Sequence, residues 1–173
     1  MRALTVAIIM GGVILPCFVG SAQTGATTAA RPPAYDRLGS LVGRWTIKGS
    51  EGNHLEVCRW YDGNFHVICE TENKRSDGSI GHGMSILGYL PDKDRYTYHG
   101  IGSKGRNETM SGTFAGGVLE FTAESIENGT TLISRVRMGP FSDREVPFVA
   151  ESSTDRVSWS VDASFTYLRL GDP

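Results

Sequence analysis

Histidines, cysteines and paired acids are the residues through which this chain could do chemistry, and few of them fall into a recognisable pattern. Cys58 and Cys69 flank a segment whose Asp62-Gly63-Asn64 centre is a hairpin turn signal. Folding there sets the two cysteines opposite each other on neighbouring strands. A disulfide is the expected state in an oxidising compartment, with two buried thiols as the alternative. A strict two-residue turn at Gly63-Asn64 would make them a hydrogen-bonded pair, where side chains lie farther apart. No Cys-x-x-Cys occurs, so neither a redox pair nor a zinc knuckle is indicated.

The histidines are sparse. On the segment 80–90, Ile80, His82, Met84 and Ile86 share one face and Gly81, Gly83, Ser85 and Leu87 the other, and the bulkier face is expected to point inward. His82 would then meet a ligand's polar group, ligate a metal or act as a base, or else be a core histidine satisfied by a backbone carbonyl. Turn counting sets His66 near Gly88 and His99 near Ile86. Two strands apart is roughly 10 Å, too far for a tight metal site. Gly83-Met84-Ser85-Ile86-Leu87 lacks the second glycine of a nucleophile elbow. Glu70 and Glu72 read as a solvated outer face. Gly100 to Gly105 has no following helix to make it a phosphate loop. The expectation is no catalytic residue, no metal and no cofactor.

The elements that must position these residues begin after residue 33. Arg2, an uncharged apolar stretch to Val19 and the small residues Gly20-Ser21-Ala22 read as a secretory signal over 1–22. Gly11, Gly12 and Pro16 interrupt the stretch, which argues against a membrane anchor. Residues 23–33, small and polar and ending in two prolines, read as a flexible leader, and 34–173 as one domain. The mature product is therefore expected to be secreted or periplasmic, with no integral membrane segment. Tyr35, Leu38, Leu41 and Val42 fall at helical spacing and Gly43 ends the run. Strands are expected near 44–49, 54–61, 65–72, 80–90, 95–101, 108–114, 118–125, 130–138, 145–152, 156–162 and 164–170. Turn clusters every 10 to 15 residues separate them. Short links predict an all-β, antiparallel up-and-down meander that closes into a barrel of about eight to ten strands. A sandwich is the alternative architecture.

Gly43-Arg44-Trp45 opens the first strand after the helical segment, and Arg169 lies in the last. This resembles the Gly-x-Trp start of lipocalins and the wider calycin group. The resemblance implies that Trp45 packs at the closed end of the barrel and that Arg169 covers its ring. The stretch from about Tyr35 to Leu170 is also similar to a family of bacterial exported lipocalin-like domains of unknown function. That likeness rests on Leu41-Val42-Gly43-Arg44-Trp45 and the mid-chain Leu87-Gly88-Tyr89-Leu90-Pro91-Asp92. It implies a fold more than an activity. A related haem-binding branch uses a late histidine; the last one here is His99, so haem is not carried over.

The chain has 17 Lys+Arg against 19 Asp+Glu, with no basic excess for nucleic acid. Hydrophobic residues at 39% exclude a disordered chain. Eight strands would be filled by side chains, whereas ten leave room for a small ligand. The expected lining is His82, Met84, Ile86, Tyr98, Phe114, Phe121 and Trp159, and the expected partner a small apolar or amphipathic molecule. An enzyme using lumen histidine and tyrosine groups, and a ligand-free interaction module, are the competing readings.

Overall fold

The protein was analysed as a computed structural model, which describes residues 31–173; the expected signal segment and leader residues 23–30 lie outside the described residues. Helix α1, Ala34–Leu38, begins after Pro32-Pro33 and runs into a 3-10 turn over Gly39–Leu41. Ten strands follow: β1 Gly43–Ile47, β2 His54–Trp60, β3 Val67–Lys74, β4 Ile80–Leu90, β5 Arg95–Gly102, β6 Asn107–Ala115, β7 Val118–Glu127, β8 Thr130–Met138, β9 Glu145–Ser153 and β10 Ser160–Gly171. Each pairs antiparallel with its sequence neighbours, and β1 pairs with β10, so the meander is a closed barrel and not a sandwich. A closed ten-stranded antiparallel meander is consistent with a calycin-like fold.

Closure has a local cause. Trp45 stands opposite Arg169 across the seam, and the guanidinium carbon lies 4.3 Å above the indole ring. Arg169 also donates from Nη1 to the carbonyl of Val42 (2.7 Å) and from Nη2 to that of Ser40 (3.2 Å), while Trp45 Nε1 donates to Leu41 (2.7 Å). These bonds tie the 3-10 turn, the first strand and the last strand into one unit, as the resemblance implies. Gly43 is needed at its centre. Its φ is +150°, and a Cβ there would run into the Arg169 guanidinium.

Helix α1 stoppers this end. Leu38 is fully buried, Tyr35 donates to the Tyr89 carbonyl (3.1 Å), and Tyr96 donates to that of Ala34 (2.9 Å). The other end, carrying the β1–β2, β3–β4, β5–β6, β7–β8 and β9–β10 turns, has no such plug among the described residues. No described helix is long and apolar enough to cross a membrane. The outer face of β2 and β3 carries the exposed ion pair Arg59–Glu70 (2.9 Å).

Two expectations about the strands need correction. Segments 156–162 and 164–170 are one strand, β10, starting at Ser160 and bulged between Val161 and Ala163. Residues 154–159 form a connection instead, organised by Asp155, whose Oδ1 accepts from the amides of Val157 (2.8 Å) and Ser158 (2.7 Å). The β4 face is also reversed. Gly81, Ser85 and Leu87 are buried while Ile80 and His82 are exposed, so Ile80, His82, Met84 and Ile86 form the outer face. Small residues line the interior of β4 and its neighbour where other side chains take the space: the Arg75 guanidinium lies where a side chain at Gly81 would stand. On neighbouring β5 the Tyr98 ring lies where a side chain at Gly100 would stand.

Arg169→Gln removes the cation–π contact and takes the guanidinium donors from the part-buried carbonyls of Ser40 and Val42. A loss of about 2 to 4 kcal/mol in urea unfolding is expected. Unchanged stability would show that the seam is held by backbone pairing alone.

Candidate functional site

Along β2 the chain reads His54-Leu55-Glu56-Val57-Cys58-Arg59-Trp60, and the period of two divides it into His, Glu, Cys and Trp on one face and Leu, Val and Arg on the other. The first set points inward. It descends from the open mouth at His54, through Glu56 and the Cys58–Cys69 disulfide, to Trp60 near the plug. Cys58 and Cys69 are directly opposite, with Cα atoms 4.0 Å apart. The amides of Tyr61 and Lys74 bond the carbonyls of His66 (2.8 Å) and Asn53 (2.8 Å), which fixes the alternation of the ladder. Cys58 and Cys69 therefore occupy a non-hydrogen-bonded position, where side chains are close. The turn between them spans four residues, with Asn64 donating back to Tyr61, and this removes the difficulty posed by a two-residue turn.

The barrel encloses a cavity of about 730 Å³ that reaches the open end. Its apolar lining includes Leu87, Tyr98, Met110, Phe121, Val136, Phe148 and Phe165. Set into that wall is a polar group formed by His54, Glu56 and Tyr167. His54 Nδ1 lies 2.7 Å from Asn73 Oδ1; its Nε2 is 3.8 Å from Glu56 Oε2 and has no hydrogen-bond partner among the described residues. The imidazole ring packs 5.8 Å from the Tyr167 ring, and the Tyr167 hydroxyl reaches the Glu56 carboxyl.

Burial governs the electrostatics here. Desolvation raises the Glu56 carboxyl from 4.5 to about 7, partly opposed by the Tyr167 hydroxyl. Tyr167 is held well above its ordinary range, first by burial and then by the charge of Glu56. Burial raises Tyr98 as well. The interior thus offers a carboxyl group that is a hydrogen-bond donor below neutrality, and phenols that stay protonated. Glu56, Cys58 and Cys69 place potential ligand atoms within 4.8 Å of one another, but sulfurs joined to each other have no thiolate to give a metal.

The structure brings together only part of the expected lining. Tyr98 and Phe121 face the cavity, their rings 5.8 Å apart. Phe114 lies lower, stacked on Phe141 (6.1 Å) and near Tyr96 (6.3 Å), in the plug region. Met84 and Ile86 are half-buried on the outer face, and His82 is 60% exposed beside Glu72 (3.9 Å). His82 and Met84 nonetheless border the cavity, beside Gly81 and Gly83. Trp159 lies in the β9–β10 connection with the Arg135 guanidinium 3.8 Å above its ring. His66 packs on Gly88, and His99 pairs with Ile86 on the outer face, bonding Thr109 Oγ1 at 2.8 Å; both match the expected register. His54, Glu56 and Tyr167 were not singled out by sequence reasoning. The signal was present nonetheless: an inward Cys58 forces Glu56 and His54 inward by parity.

Comparison of the sequence with protein-family models and with curated proteins returns no match to either.

Glu56 sets a sign for pH dependence. Its folded pKa lies above the unfolded value of 4.5, so the folded state binds the extra proton. Stability is lost as pH rises from about 4.5 to about 7, by about 3 kcal/mol when the shift is converted at 1.36 kcal/mol per unit. Urea unfolding of wild type and Glu56→Gln at pH 4.5, 6 and 8 should show their difference widening with pH in favour of the variant. Parallel curves would contradict a buried, neutral-leaning carboxyl.

Proposed function

We propose that this protein is an exported barrel that binds a small, largely apolar or amphipathic molecule in its lumen, in the manner of the lipocalin-like domains it resembles. The observation that carries the reading is the cavity of about 730 Å³, aromatic and aliphatic in its depth, bordered by charged residues such as Arg75, Lys104, Arg106 and Asp162 toward the turns, and continuous with the unplugged end. That volume lies within the range of small-molecule sites, and an apolar depth with polar groups nearer the mouth suits an amphipathic molecule. Export rests on the N-terminal segment 1–22 and on the disulfide, which suits an oxidising compartment.

A second reading, an enzyme working through lumen acid–base groups, is favoured by the carboxyl at Glu56, raised to about 7 beside His54 and Tyr167. It transfers any such chemistry away from His82, whose side chain faces solvent. Turnover lost in Glu56→Gln with ligand binding retained would favour it.

The fluorescent apolar probe N-phenyl-1-naphthylamine tests the binding reading. Ala150 lines the cavity, and Ala150→Phe places a ring in the lumen. The probe is expected to bind wild type with enhanced emission and to bind the variant at least about tenfold more weakly, with the thermal midpoint checking that the variant folds. Equal binding by both would place the probe outside the barrel and sink the proposal.

A further inference from the structure

Resting on the reading of the lumen as a binding chamber, we infer that His54 and Glu56 form a two-point site for a hydroxyl group, so that the ligand is an alcohol or phenol with an otherwise apolar body. The first support is an unpartnered atom. His54 is only 7% exposed, and its Nδ1 faces Asn73 Oδ1 at 2.7 Å. An amide oxygen only accepts, so Nδ1 carries a proton, and in the neutral imidazole Nε2 is the lone-pair acceptor. That acceptor has no partner among the described residues. A buried acceptor left unpaired is costly, which calls for a donor arriving from the cavity it borders.

The second support is the spacing. Nε2 and Glu56 Oε2 are 3.8 Å apart, too far to bond each other. Nε2 is closed off by its neighbours, so a small parting of the two side chains is what lets a single oxygen sit within about 2.8 Å of both. A hydroxyl there donates its proton to Nε2 and accepts one from the carboxyl, which burial keeps largely protonated below neutrality. An ether cannot donate to Nε2. A carboxylate has no proton to give either and would face the Glu56 carboxyl.

The third support is placement. His54 and Glu56 are the two inward positions of β2 nearest the mouth, while the deeper wall is set by Met110, Phe121 and Phe148. A molecule entering with its apolar body first would leave its hydroxyl at this level. A water can bridge the same two atoms, and the distinction lies in what displaces it. A hydroxyl reproduces the bonds of the water and keeps affinity, whereas a group that cannot reproduce them loses it.

Isothermal titration of the full folded protein at pH 7 with 2-naphthol and 2-methoxynaphthalene, matched in ring and differing in the donor, tests the assignment. 2-Naphthol is expected to bind at least about tenfold more tightly, the scale of one buried acceptor satisfied or left bare. The ratio should fall to about one in His54→Phe, or in His54→Leu should that variant fail to fold; Glu56→Leu, which keeps Nε2, should weaken both probes and retain the preference. Equal affinities in wild type would overturn the hydroxyl site and leave an apolar binding barrel standing. A preference that persists in His54→Phe would also overturn it. So would tighter binding of 2-naphthylmethylamine, which would make Glu56 a counter-ion. Binding of none of the three probes would overturn this site and the chamber reading together.

Discussion

The pairing of β1 with β10 is the constraint on which the rest of this molecule depends. Without it the sheet would be an open ribbon with two bare edges, and there would be no interior to exclude water from Glu56 or to collect the rings of Phe121, Phe148 and Phe165. The first strand is only five residues long, so few ladder bonds hold the seam. Arg169 compensates through side-chain chemistry: it covers Trp45 and gathers the carbonyls of Ser40 and Val42, which fastens the stopper to the joint at the same point. One end of the barrel is thereby rigid and filled, and the other stays open.

Closure creates a second problem, which is what to do with polar groups inside. Most of the wall solves it by being apolar. At β2 the usual alternation is inverted, with Leu55 and Val57 outward and His54 and Glu56 inward. A core optimised only for stability would not place an acid there, since burying it weakens the fold at neutral pH. The same group, kept near its titration point beside a histidine nitrogen with a free lone pair, is well suited to recognise something that enters the chamber.

Much of the architecture could be read from the sequence because hairpin chemistry is local. Glycine, asparagine and aspartate at the turns mark where each strand ends, and short links leave a meander few options. The Cys58–Cys69 register and the neighbours of His66 and His99 followed from counting residues across those turns. Which face of β4 is inside did not follow. The rule that bulk goes inward assumes a core filled by the strand's own side chains, whereas the inward positions of β4 carry Gly81, Gly83 and Ser85 and leave the space to the cavity and to side chains such as Arg75. For the same reason His82, Met84 and Ile86 were set on the wrong side. The expected break between 156–162 and 164–170 coincides with the bulge in β10, which shifts the register without ending the strand. His54, Glu56 and Tyr167 sit on strands whose inward parity is legible only once one inward residue is known, and Cys58 supplies it.

Backbone NMR at the seam tests closure most directly. Cross-strand contacts between Trp45 and Arg169 and between Ile47 and Tyr167 are expected, together with slow amide exchange at Lys48, whose N–H bonds the Thr166 carbonyl at 2.9 Å. Amides of β1 and β10 exchanging as freely as those of the turns, with no contact between the two strands, would contradict a shut barrel.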